Sequence, residues 1–469
     1  MSTTSNVSAG KRIEALLDDN SFVEIGGLVK ARNTDFTMTQ KETPADGVVT
    51  GYGVINGVLV YVYSQDATVL GGSIGEMHAK KIARLYDMAM KMGAPVIGLV
   101  DCAGLRLEES TDALNAFGEL YLKQTMASGV IPQITAVFGN CGGGLAVLSE
   151  ISDFTFMEEK GKLFVNSPNA LDGNYTAKCD TASAKFQSEE AGNVDYTGEE
   201  ADVIEKIREL VDMLPSNCED TYSYEECSDD LNRVCTGIGT MADDMQTLLQ
   251  TVSDSGVFFE TKKDYAADMV TGFIKLNGNT VGVAANNSDL LTSKGAGKAA
   301  EFVNFCDAFS IPVVTFTNVT GFETTICEEK RIAKAAAKLT YAFANATVPK
   351  VNVVVGNAFG SAYVIMNSKG IGADMVYAWQ DARIGMMNAE SAARIIYADE
   401  ISRADSANAV IGEKAAAYEK LQLSVDSAAS RGYVDAVINP EDTRKYLIGA
   451  LEMLFTKREG RPDKKHGTV

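Results

Sequence analysis

The chain has 469 residues, 46% of them hydrophobic and 22% charged, with a formal charge of −21. That length exceeds one ordinary core and predicts two or three soluble globular domains. The acidic balance excludes nucleic acid and anionic membranes as partners, but not an anionic ligand held by backbone amides.

The opening stretch, MSTTSNVSAGKRIEALLDDN, lacks the apolar centre of a secretory signal. No apolar run reaches the ~18–20 residues that a membrane helix requires. Eight scattered cysteines form no C-x-x-C, and the only histidines are His78 and His466. A cytoplasmic protein with free thiols and no metal site is therefore expected.

Residues 48–66, VVTGYGVINGVLVYVYSQD, read as two β-runs joined by Asn56-Gly57, whose turn positions favour positive φ. TVLGGSIGE, residues 68–76, reads as a glycine-rich loop, and GEMHAKKIARLYDMAMKMG has helical spacing. Within it AMKM, residues 89–92, matches a biotin-attachment tetrapeptide with Lys91 as acceptor. Attachment lysines sit at hairpin tips of small all-β domains, whereas this stretch ends a helix that Gly93 and Pro95 stop, so Lys91 is expected to be unmodified. APVIGLVDCAG reads as a strand, and so does PQITAVFGNCGGGLAV, residues 132–147, which ends in three successive glycines. Polar residues 172–200 form a surface excursion, ADVIEKIRELVDMLP an amphipathic helix, and the acidic SNCEDTYSYEECSDDLNR a linker.

The second half then repeats the first. Thr50 pairs with Thr271, Gly51 with Gly272, and Asn56-Gly57 with Asn277-Gly278, all at an offset of 221. Pro95 and Pro312, Pro132 and Pro349, Gly139 and Gly356, Asn140 and Asn357, and Gly143 and Gly360 all stand 217 apart. Two homologous α/β domains are expected, 1–235 and 236–469, superposing over about 25–215 and 240–450.

A strand that runs into a helix places its end beside amides that lack helical partners. Glycine there lets a ligand approach the backbone, so the chain can build an oxyanion hole from N–H groups. A tight turn explains one glycine cluster equally well. Two clusters at equivalent places point to two amide-lined holes.

DGVVTGYGVINGVLVYVYSQDATVLGGSIGEMHAKKI, ASGVIPQITAVFGNCGGG, AFANATVPKVNVVVGNAFGSAYVIMNSK, RGYVDAVINPEDTR and the tail KREGRPDKKHG occur in order from about residue 10 to the end. Together they resemble the carboxyltransferase subunit of biotin-dependent acyl-CoA carboxylases. The branch resembled is that of propionyl-CoA carboxylase β-chains and methylmalonyl-CoA decarboxylase α-chains. The resemblance implies two tandem crotonase-like domains of the ClpP/crotonase superfamily (β-β-α superhelices) and a hexamer built as a dimer of trimers.

It further implies that Gly143 and Gly144 hold the enolate oxygen of an acyl-CoA thioester, with Gly142 in the same acyl-CoA site. Ser361 and Ala362, beside Gly360, would hold the ureido oxygen of biotin, with Gly321 and Phe322 nearby. Carboxybiotin then releases CO2, the freed biotin nitrogen takes the substrate's α-proton, and no side chain need be the base. Gly71, Gly72 and Arg106 are implied acyl-CoA contacts, although a packed turn or a surface ion pair would equally explain them. Val364 stands where propionyl-CoA enzymes often carry aspartate, TGFETT (320–325) replaces a proline-rich loop, and Gly360-Ser361 replaces Gly-Gly; these departures bear on which acyl group is taken. The implied partners are a separate biotin carboxyl carrier protein and either biotin carboxylase or the membrane β-subunit of a sodium-pumping decarboxylase, which would run the reaction in reverse at the inner membrane face. A crotonase-type hydratase would need a positioned carboxylate and one catalytic half, and a Clp-like serine protease a Ser–His–Asp set. The alternative of a different class is a non-catalytic acyl-CoA-binding scaffold.

Overall fold

In the computed structural model, residues 8–32, 42–220 and 226–462 are described; His466, the end of the basic tail and residues 221–225 of the expected linker lie outside them. The first unit is built on eight strands: β1 (Val23–Glu24), β2 (Val48–Ile55), β3 (Val58–Gln65), β4 (Val96–Cys102), β5 (Gln133–Gly142), β6 (Phe154–Glu158), β7 (Lys162–Phe164) and β8 (Tyr196–Gly198). Their order is β1-β2-β3-β4-β5-β6-β8, with β7 also pairing β5. β2 and β3 form the expected antiparallel hairpin, turning through Asn56 and Gly57 at φ of 48° and 83°. From β3 onward pairing is parallel. Parallel strands are covered on both faces, so β4 and β5 read as continuous apolar runs rather than alternating ones.

The second unit repeats this with β9 (Phe258–Thr261), β10 (Met269–Leu276), β11 (Asn279–Asn286), β13 (Val313–Val319), β15 (Lys350–Phe359), β16 (Met375–Trp379), β17 (Arg383–Gly385) and β18 (Ala436–Ile438). The order is β18-β16-β15-β13-β11-β10-β9, with β17 pairing β15. A small extra pair joins β12 (Leu290–Leu291) to β14 (Gly321–Phe322). The copies agree in detail: the ladder shifts register after Val100 in β4 and after Thr317 in β13, at the 217 offset. The fold is thus the two-fold α/β duplication that the repeat predicts.

Two features differ from the sequence reading. The chain divides into residues 1–223 and 224–469, ahead of the expected boundary at 235. The described end of the acidic stretch is held in place: Arg233 donates to the carbonyls of Thr251 and Ser253 at 2.9 Å each, and buried Cys235 donates its N–H to the Glu441 carbonyl. The second unit also carries helices Ala389–Ile396, Ala398–Arg403 and Ala407–Tyr418 between β17 and β18. This insertion moves the offset from 221 at β17 to 240 at β18.

Candidate active site

The three glycines do three different things. β5 ends at Gly142, where a Cβ would stand 2.8 Å from the Phe164 ring, so this residue is small for packing. Gly143 turns the chain at φ 65° and ψ −128°, a conformation glycine adopts without strain. Gly144 opens the helix Gly144–Ile151, and a Cβ there would lie 2.5 Å from Phe117 Cε1. Further back, a Cβ on Gly139 would run into the carboxylate of Asp101, and one on Gly356 into the amide of Asn318. Those paired glycines clear space for a side chain from the neighbouring strand.

The amides at this turn differ in what they can offer. Gly143 N–H donates to the Phe164 carbonyl at 2.8 Å, continuing the β5–β7 ladder, so it is not a free donor. Among the described residues no acceptor meets the N–H of Gly144 or Leu145, the first two helical amides, which point beyond the helix as such amides do. The unmet amides at this turn are therefore those of Gly144 and Leu145. Leu145 was legible in the repeat: the 217 offset that aligns Gly143 with Gly360 aligns Gly144-Leu145 with Ser361-Ala362.

In the second unit Gly360 has φ 60°, and the short helix Gly360–Ile365 follows. No acceptor among the described residues meets the N–H of Ser361 or Ala362. Ser361 is exposed and Ala362 buried. The helix packs against β14, which brings Gly321 and Phe322 to its side. Val364 is 42% exposed, as is Val147 at the equivalent place in the first unit, a residue the sequence reading passed over.

Of the implied acyl-CoA contacts outside the hole, Gly71 has an N–H that no acceptor among the described residues meets. Gly72 donates instead to the Val69 carbonyl, and its missing side chain makes room for the Asp101 carbonyl. Arg106 is turned into the protein. It is 4% exposed, with Nη1 2.6 Å from Glu109 Oε1 and 2.7 Å from Asp46 Oδ1. The contact with Glu109 is an aligned hydrogen bond, while that with Asp46 is a close charge contact. Both carboxylates also cap the helix Glu76–Met92: Glu109 accepts from Glu76 N–H at 2.6 Å and Asp46 from His78 N–H at 2.8 Å. Acid at a helix amino terminus is stabilising, and the guanidinium offsets the burial of two carboxylates. Lys91 lies exposed in the last turn of the same helix, which Gly93 ends at φ 62°.

His78 is fully buried. Its Nδ1 lies 2.9 Å from the Asp46 carbonyl, which can only accept, so Nδ1 carries the proton and Nε2 accepts from Gln65. Burial, far more than its charged neighbours, pushes its pKa down to about 3. Both ring nitrogens are engaged, which removes the only described histidine as a base or triad member. Cys102 and Cys141 face each other across β4 and β5, and burial raises both thiols, Cys102 to about 12. All eight cysteines are unpaired. No helix of the described residues is long and apolar enough to cross a membrane.

Comparison with known proteins matches the whole chain. The carboxyl transferase domain family matches residues 5–469. The methylmalonyl-CoA decarboxylase subunit alpha of Veillonella parvula is 38% identical, over 99% of this chain and 93% of the relative. The carboxyltransferase subunit of propionyl-CoA carboxylase from Haloferax mediterranei is equally similar over the same shares. The crystal structure of transcarboxylase 12S, described as a hexamer with methylmalonyl-coenzyme A and methylmalonic acid bound, has a TM-score of 0.96 at 37% identity, covering 99% of this chain and 92% of that one.

Proposed function

The chain belongs to the carboxyl transferase domain family, and from that premise we propose that it moves CO2 between carboxybiotin on a separate carrier and the α-carbon of a short-chain acyl-CoA. Propionyl-CoA and methylmalonyl-CoA are the favoured pair, with acetyl-CoA the nearest competitor. The observation that carries the reading is the duplication of the amide hole: Gly144-Leu145 in one unit and Ser361-Ala362 in the other. Carboxyl transfer places negative charge on two oxygens, the thioester oxygen of the acyl-CoA and the ureido oxygen of biotin. Preorganised N–H donors stabilise such charge as it develops.

Within this scheme the chain binds and orients. Gly144 and Leu145 donate to the thioester oxygen, and Ser361 and Ala362 donate to the ureido oxygen, with Gly360, Gly321 and Phe322 beside it. Gly71 offers a further amide to the acyl-CoA. The α-proton needs no protein base, in keeping with a histidine locked into the core. The same holes serve carboxylation and decarboxylation, so the partner decides the direction: biotin carboxylase for one, a membrane subunit for the other. A hexamer in the cytoplasm, served by a biotin carboxyl carrier protein, completes the proposal.

The test is a pair of half-reactions on the purified protein: exchange of the acyl-CoA α-proton, and CO2 release from free carboxybiotin. Both are expected, with propionyl-CoA and methylmalonyl-CoA the best of a short-chain series. A protein that binds acyl-CoA and catalyses neither is a scaffold.

A further inference from the structure

The Gly144–Leu145 peptide is held from outside its own helix. Tyr121, on the helix Ser110–Ala127, donates its hydroxyl to the Gly144 carbonyl at 2.8 Å. A carbonyl oxygen has two lone pairs, so this bond is compatible with the helical one. The Phe117 ring lies 5.0 Å from the Tyr121 ring, and a Cβ on Gly144 would stand 2.5 Å from Phe117 and 2.8 Å from the Tyr121 hydroxyl. Both rings pack against Gly144, but only the Tyr121 hydroxyl bonds to its peptide. Burial raises the Tyr121 phenol, which keeps it a donor at neutral pH. Carbonyl and N–H of one peptide are coupled: an acceptor loaded by a donor makes its own N–H the better donor. In the second unit the 217 offset places Lys338 here, so the repeat does not carry this hydroxyl over.

We propose that Tyr121 is a positioning residue for the first hole, orienting and polarising the Gly144–Leu145 peptide so that its N–H meets the enolate oxygen. The proposal rests on the reading of that hole as the acyl-CoA site. Charge reaches the enolate oxygen only along the reaction, so the effect belongs in kcat and not in KM.

The experiment is Tyr121→Phe, which removes one oxygen and keeps the ring. It is expected to lower kcat for α-proton exchange roughly 5- to 10-fold, the size of one hydrogen bond. KM for the acyl-CoA and CO2 release from free carboxybiotin should be unchanged. Phe117→Leu, which disturbs the ring packing but keeps the hydroxyl, should leave kcat for exchange within about 2-fold. The proposal is overturned by unchanged exchange, by a change confined to KM, by equal loss of both half-reactions, or by a Phe117→Leu loss as large as that of Tyr121→Phe. Failure of the underlying site reading looks different: the unsubstituted protein would itself exchange no α-proton from any acyl-CoA.

Discussion

Gly143 and Gly360 stand 217 positions apart and both have positive φ, 65° and 60°. Each ends the parallel strand beside which a carboxylate or amide from the neighbouring strand is packed, and each starts a helix whose first amides are unpaired. In the proposed hole Gly143 is therefore the pivot and not a donor, because its N–H is taken by the Phe164 carbonyl.

That distinction sets the first prediction. Gly143→Ala puts a Cβ at φ 65° and ψ −128°, a strain of about 1–3 kcal/mol, relieved by moving the start of the helix. α-Proton exchange should fall about 10²–10³-fold, as when an oxyanion donor is lost. CO2 release from free carboxybiotin should survive. Ser361→Pro does the converse: proline is tolerated in the first turn of a helix but deletes the N–H, so carboxybiotin turnover falls while exchange persists. Equal loss of both activities in either folded variant would mean the holes are not divided between the substrates.

Arg106 sets the second. Arg106→Met leaves Asp46 and Glu109 buried without their common counter-charge, a loss of about 3–5 kcal/mol. Denaturant unfolding should show it, and KM for acyl-CoA should stay within about 2-fold, because the guanidinium is buried against Asp46 and Glu109. A variant of normal stability with a much raised KM would return Arg106 to the binding site.

The contrast between these residues shows what was legible in the sequence. The duplication was readable because Asn-Gly turns, strand-opening prolines and strand-ending glycines leave local marks at constant offsets. The role of Gly143 was not, because its acceptor, the Phe164 carbonyl, arrives on a strand 21 positions later and depends on parallel pairing. Arg106 read as an acyl-CoA contact or a surface ion pair because one of its acidic partners, Asp46, lies 60 positions upstream. The helices between Ala389 and Tyr418 break the constant offset within the expected superposition over 240–450.

His78 gives a pH prediction. Its folded pKa is about 3 against an ordinary value of 6.5, so between these limits the unfolded chain binds the extra proton. The stability of the first unit should be fully present above about pH 6.5 and fall as pH drops, by at most about 1.4 kcal/mol per unit. Asp46, whose pKa burial raises, acts in the opposite sense over the carboxylate range. His78→Asn keeps a donor near the Asp46 carbonyl without a titrating ring, and its stability should depend less steeply on pH between 4 and 6. Identical acid limbs in urea unfolding for both proteins would show that His78 is not the titrating group.

The last prediction concerns assembly. The resemblance to biotin-dependent carboxyltransferases implies that the acyl-CoA half and the biotin half of one active site come from different protomers. Gly143→Ala and Ser361→Pro then become probes of geometry, since each variant spoils one half and spares the other. Alone, neither should support full transfer from carboxybiotin to acyl-CoA. Denatured together in equal amounts and refolded, they should form mixed oligomers in which about a quarter of the sites receive two intact halves, by random assortment. Transfer should reappear to that extent, and mixing the two proteins without reassembly should not restore it. Light scattering of the parent protein should give an oligomer. If the mixed oligomers stay inactive although each variant keeps its own half-reaction, both holes of a site belong to one chain. If the parent is a fully active monomer, assembly has no part in the chemistry.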